Sequence, residues 1–155
     1  MSSTAPSLLE KYSSVIELPF PPRKSTITAA PIRRRLLLAD DDVALARVLA
    51  RKVGGSTLEV HSAISGDTAM DLVRILHFDV AVLDVNMPGM NGLDIIRRIR
   101  ASHDLHQPAV VVISAFPDEP SVQEAMDAGA DVALPKPLTL ASLRTAIQQS
   151  LDRRG

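Results

Sequence analysis

The sequence predicts a doubly wound α/β domain, with five parallel strands in one sheet and five helices laid over its two faces. Two observations carry this. From Leu36 onward, short apolar runs alternate with segments of helical periodicity, five times over. The runs Leu36–Leu38, Val80–Leu83 and Ala109–Ile113 lack polar alternation, as parallel strands covered on both faces do. Right-handed crossovers between such strands wind the sheet in both directions.

Leu36-Leu37-Leu38 reads as a buried first strand. The first helix follows, with Leu45, Val48, Leu49 and Val53 on its inward face, and Gly54-Gly55 ends it. Thr57–His61 is the second strand. Residues 67–76 form the second helix, with Ala69, Leu72, Val73 and Leu76 inward. Val80–Leu83 is the third strand, and Met87-Pro88-Gly89 belongs to the loop after it. Residues 92–100 are helical through Leu93, Ile96 and Ile99. Ala109–Ile113 is the Val-rich fourth strand, and residues 119–128 make a helix that Gly129 closes. Val132–Leu134 is the fifth strand, and Leu140–Leu151 the last helix.

Bulk composition agrees. A length of 155 residues fits one domain with a tail, and a hydrophobic content of 46% is enough for a core. The absence of cysteine excludes disulfides, thiolate metal sites and a Cys nucleophile. No apolar run reaches the roughly 18 residues of a membrane span, and no secretory signal opens the chain, so a cytoplasmic protein without membrane contact is expected. Lys11, Arg23, Lys24, Arg33, Arg34 and Arg35 against Glu10 and Glu17 leave the first 35 residues at +4, so with a net charge of −1 the remainder carries −5. A domain of that sign has no general attraction to nucleic acid, and direct nucleic-acid binding is not expected. The Arg33-Arg34-Arg35 run reads as a solvated lead-in to the first strand.

Residues 1–33 hold Pro6, Pro19, Pro21, Pro22 and Pro31 among many Ser and Thr, and read as a flexible N-terminal tail before a domain spanning 34–152. Within the tail, Leu8, Tyr12, Val15 and Ile16 sit at helical spacing, a short helix if a partner supplies a surface.

In doubly wound sheets the functional crevice lies beyond the carboxyl ends of the strands. There the first strand delivers Asp40-Asp41-Asp42, the third Asp84 followed by Asn86, the fourth Ser114, and the fifth Lys136 followed by Pro137. Singly, each has an ordinary explanation: Asp42 as a helix cap, Asp84 as a turn residue, Ser114 as a structural hydroxyl and Lys136 as a surface lysine. Brought together they make a chemical set. Clustered carboxylates repel one another, and a hard divalent cation relieves that. Asp40, Asp41 and Asp84 supply three negative charges, which Mg²⁺ and Lys136 balance. A carboxylate is also a competent phosphoryl acceptor, and phosphoryl transfer needs chiefly positioning and charge neutralisation.

These residues resemble response-regulator receiver domains of two-component and phosphorelay signalling. The likeness lies in Asp40-Asp41 after an apolar run, the stretch Leu83-Asp84-Val85-Asn86-Met87-Pro88-Gly89-Met90-Asn91-Gly92, Ser114-Ala115 and Lys136-Pro137, over about residues 34–152. The resemblance implies a flavodoxin-like sheet of strand order 2-1-3-4-5. It implies Asp84 as phosphoacceptor, Asp41 as principal Mg²⁺ ligand with Asp40 assisting, and the backbone carbonyl of Asn86 as a further ligand. It implies Ser114 as the switch hydroxyl, Lys136 as the lysine that pairs with the phosphoryl group, and a cis Lys136–Pro137 peptide.

Two positions depart from the family pattern. Ala133 stands where an aromatic ring is common, so Ser114 and Lys136 are expected to respond locally, with output through the loop that carries Phe116. Pro135, lacking an N–H, fits only an edge or the end of a strand; the resemblance implies that the fifth strand is an edge strand, and it is expected to be short. The implied partners are a sensor histidine kinase or histidine phosphotransfer protein and an unidentified downstream protein. With no appended module visible, a single-domain, non-enzymatic switch is expected. The alternative is a Mg²⁺-dependent phosphohydrolase with an aspartyl-phosphate intermediate, but those enzymes usually place the nucleophile after the first strand. A flavin carrier of the same topology is disfavoured by the scarcity of aromatics: Tyr12, Phe20, Phe78 and Phe116.

Overall fold

Each apolar run becomes a strand: β1 (Arg34–Ala39), β2 (Leu58–Ala63), β3 (Val80–Asp84), β4 (Ala109–Ser114) and β5 (Val132–Pro135). The helices that follow them are α1 (Val43–Val53), α2 (Gly66–Ile75), α3 (Gly92–Ala101), α4 (Glu119–Ala128) and α5 (Leu140–Arg154). This computed structural model describes residues 33–55, 57–115 and 118–155. The tail patch Leu8, Tyr12, Val15 and Ile16, and the loop position Phe116, lie outside the described residues.

All pairings are parallel and the strand order is β2-β1-β3-β4-β5. Successive side chains along a strand point to opposite faces, so each central strand feeds two cores. Leu37, Ala81, Leu83, Val110 and Val112 pack with Ala69, Leu72, Ile96, Ile99 and Ala125 beneath α2, α3 and α4. Leu36, Leu38, Val80, Val82, Val111 and Ile113 pack with Ala46, Leu49, Leu143 and Ile147 beneath α1 and α5. Burying one such aliphatic side chain stabilises by about 1.5–3 kcal/mol.

Two expectations are corrected and one, the buried face of α3, is extended. On α1 the inward stripe is Leu45, Ala46, Leu49 and Val53, whereas Val48 is 52% exposed. At 100° per residue Val48 lies more than about 100° from the centre of that stripe, and the small Ala46 lets the helix approach the sheet. On α3 Ile95 is buried alongside Ile96. β2 runs on to Ala63 because Ala63 pairs with Ala39 and is 1% exposed, which outweighs the turn preference of the nearby serines.

The helix ends follow local chemistry. Asp42, Ser65, Asn91, Asp118 and Thr139 each accept a backbone N–H of the first turn that follows. Gly129 closes α4 at φ 113°, a left-handed conformation that suits glycine. Pro135 is the last residue of the edge strand, and Lys136 N takes over the next ladder bond, donating to Ser114 O at 2.8 Å.

Candidate functional site: an acidic pocket at the strand ends

The sheet delivers the acids in register. Ala39 pairs with Leu83, and Asp40 N still donates to Ala63 O at 3.0 Å, so the ladder holds the backbone at Asp40. Asp40 is 1% exposed. Its Oδ1 accepts Asp42 N at 2.9 Å, and its Oδ2 is buried with no hydrogen-bond partner. Asp41 is exposed at the rim. Asp42 turns away and caps α1, accepting Leu45 N at 3.0 Å.

β3 brings in Asp84, 2% exposed. Asn86 N donates to its Oδ1 at 3.1 Å, and Lys136 Nζ donates to its Oδ2 at 2.7 Å. Carboxylate oxygens of Asp40, Asp41 and Asp84 lie within 4.8 Å of one another. Ser114 is 8% exposed at the end of β4, and its hydroxyl makes no hydrogen bond among the described residues. The Lys136–Pro137 peptide is cis. All six sequence-derived positions thus fall at one edge of the sheet, while Asp42 is a cap.

Gly92 stands in the stretch that carries the resemblance, but its part in the site shows only in the structure. A Cβ on Gly92 would stand 2.4 Å from the backbone oxygen of Asp84, so only glycine lets α3 start against that carbonyl. Gly92 N donates to Val85 O at 3.1 Å, closing the loop between β3 and α3. The available signal was a glycine at the first position of a helix, where helix formers are otherwise preferred.

The electrostatics are strained in one direction. Burial raises the Asp40 pKa above the ordinary carboxylate value; the Asp42 N–H opposes this, and the Asp84 charge adds to it. Burial of Lys136 opposes its charge, but the Asp84 hydrogen bond and the surrounding carboxylates outweigh that and raise its pKa. One ammonium therefore faces three carboxylates. A buried carboxylate oxygen without a partner, among oxygen donors within 4.8 Å, is the donor set a hard divalent cation takes.

A family model for the response regulator receiver domain matches residues 36–148. The chain belongs to the response regulator receiver family. The receiver domain is 32% identical over 122 residues to the chemotaxis protein CheY-3 of Vibrio cholerae, covering 77% of this chain and 92% of that protein. It is also 32% identical to the DNA-binding response regulator MtrA of Mycobacterium tuberculosis, covering 79% of this chain but 52% of that protein. Among solved structures, a putative response regulator from Chloroflexus aurantiacus aligns at TM-score 0.71 and 27% identity, over 78% of this chain and 99% of that one. The receiver domain of Francisella response regulator 1452 aligns at TM-score 0.72 and 24% identity, over 79% and 100%, a likeness of fold. The flavodoxin-like fold expected from the sequence is the fold found. Among the described residues of this receiver domain, no helix is long and apolar enough to cross a membrane.

Proposed function

We propose that this receiver domain accepts a phosphoryl group on Asp84 from a phosphohistidine of a sensor kinase or phosphotransfer protein, with Mg²⁺ bound. The observation that carries this is the Asp84 carboxylate. It is buried, oriented through both oxygens by Asn86 N and Lys136 Nζ, and set beside the partnerless Asp40 oxygen. A carboxylate so held is a preorganised nucleophile. One Asp84 oxygen forms the new O–P bond as the N–P bond to the donor imidazole breaks, and the imidazole leaves with that electron pair.

Asp41, Asp40, Asp84 and the Asn86 carbonyl are the residues that would hold Mg²⁺. When bound, the ion supplies neutralisation of charge on the transferring phosphoryl oxygens. Lys136 shifts its ammonium from the Asp84 carboxylate to the phosphoryl oxygens. The Ser114 hydroxyl, at the end of β4, would donate to the same oxygens. Ala133 offers no ring to couple that movement to the distal face, so the response stays near the pocket and reads out through protein contact. The domain is a switch in the cytoplasm and not an enzyme.

The test is uptake of label from a small acyl phosphate donor. Wild type should take up at most one equivalent, only with Mg²⁺, as an acyl phosphate labile to acid and base. Asp84→Asn should take up little or none. Multiple turnovers of an unactivated phosphate monoester would instead support the phosphohydrolase reading.

A further inference from the structure

The acidic pocket depends on a loop that is held from outside the pocket. Residues 85–91 join β3 to α3 and carry Asn86, whose N–H donates to Asp84 Oδ1. Gly92 closes one side of the loop. The other side lies on the start of α2. Gly66 is buried there, and its N–H donates to Pro88 O at 3.3 Å. A Cβ on Gly66 would stand 1.7 Å from Met90 O, 2.5 Å from its carbonyl carbon and 2.9 Å from its Cβ. The corresponding closest approach is 2.4 Å at Gly89 and Gly92 and 2.7 Å at Gly54 and Gly129. The nearest atoms at Gly66 are backbone, so no rotamer change relieves the contact.

α2 has little freedom to retreat. Ser65 caps it by accepting Thr68 N at 3.2 Å, and Ala69 and Leu72 are fully buried in the core below. Any side chain at position 66 must therefore displace the loop.

We infer that Gly66 is a positioning residue for the divalent-cation site. Its bare Cα lets α2 seat the Pro88–Met90 backbone, and that contact fixes the segment presenting Asn86. The inference rests on the phosphoacceptor reading above and extends it to a residue outside the pocket. Relieving a 1.7 Å contact moves the loop on the order of 1.5 Å, a displacement of the size that costs reaction geometry dearly. Mg²⁺ demands near-octahedral ligands at about 2.0–2.1 Å, whereas Ca²⁺ accepts about 2.3–2.6 Å in flexible geometry. The shift is therefore read as a loss of Mg²⁺ relative to Ca²⁺, which general destabilisation does not produce.

The experiment titrates the wild type, Gly66→Ala and Ile147→Val with each cation by calorimetry. Ile147 lies in the opposite core, beneath α5, and serves as the destabilised control. Gly66→Ala should weaken Mg²⁺ about tenfold or more but Ca²⁺ less than about threefold, and Ile147→Val should leave both within about twofold. Unchanged Mg²⁺ affinity in Gly66→Ala, or equal loss of both ions, overturns the inference. Should Gly66→Ala not fold, NMR titration of the wild type with Mg²⁺ decides. The Gly66 amide should shift on the same isotherm as the Asn86 amide while Gly54 stays still, and a stationary Gly66 amide overturns it. Wild type that binds no Mg²⁺ defeats the phosphoacceptor reading itself. Wild-type binding with an indifferent Gly66→Ala defeats only the positioning role.

Discussion

Asp40→Asn should make the metal-free receiver domain more stable and deprive it of most of its stabilisation by Mg²⁺. The substitution keeps an oxygen for the Asp42 N–H and replaces the partnerless Oδ2 with an amide N–H₂ that can donate to neighbouring carboxylates. Burial is the largest penalty on the Asp40 charge, and unit charges within 4.8 Å of one another repel by about 3.5 kcal/mol or more at an effective dielectric of about 20. Lys136 offsets part of that, leaving an expected gain of about 1–2 kcal/mol, or roughly 3–8 °C in Tm for a domain of this size. The pH dependence has a definite sign. The folded pKa of Asp40 is raised, so the native state holds its proton more tightly than the unfolded chain. The cost of ionised Asp40 is then absent below the unfolded pKa and fully present above the folded one. The advantage of Asp40→Asn should be largest at neutral pH and shrink on acidification. Added at ten times its Kd, Mg²⁺ should stabilise the wild type by about 1.4 kcal/mol, and Asp40→Asn by well under half of that. Thermal unfolding followed by circular dichroism, with chelator or with Mg²⁺, measures all of these. A mutant no more stable than wild type in chelator, or one that keeps the full Mg²⁺ gain, would show that Asp40 neither strains the metal-free pocket nor holds the ion.

Asp41→Ala should weaken Mg²⁺ binding by calorimetry far more than Asp42→Ala, whereas Asp42→Ala should cost about 0.5–2 kcal/mol of stability through its lost cap on α1. Lys136→Met strips Asp84 of its cation and should destabilise by about 1–3 kcal/mol in denaturant titration, less than for a fully buried pair because Lys136 is 35% exposed. The Asp118 carboxylate is held below its ordinary pKa by the Ser121 hydroxyl and N–H. Its contribution is present above the unfolded pKa and lost as pH falls through the folded value, so Asp118→Ala should flatten the acid limb of the stability profile below about pH 4.

The sheet, its two helical layers and the six pocket positions were legible in the sequence for one physical reason. Parallel strands buried on both faces write continuous apolar runs, and the polar residue that ends each run falls at the same edge. What stayed hidden depends on contacts between elements distant in sequence. Val48 fits a helical stripe as well as Ala46 does, and only the approach of α1 to the sheet decides between them. β2 looks finished at His61 until Ala63 is paired with Ala39. Gly66 and Gly92 have no side chain to announce a role, and their meaning lies in the Met90 and Asp84 carbonyls packed against them. Ala133 shows in the sequence that a ring is missing, and its consequence for output belongs to a changed state of the pocket.

If Asp84 is the phosphoacceptor and Mg²⁺ is required, the receiver domain should be modified at one position only. Tandem mass spectrometry of the receiver domain treated with a small acyl phosphate donor, with and without Mg²⁺, tests it most directly. One phosphoryl group is expected, on Asp84, and only with the metal. Modification of Asp40 or Asp41 in the wild type, or equal uptake in chelator, would contradict it.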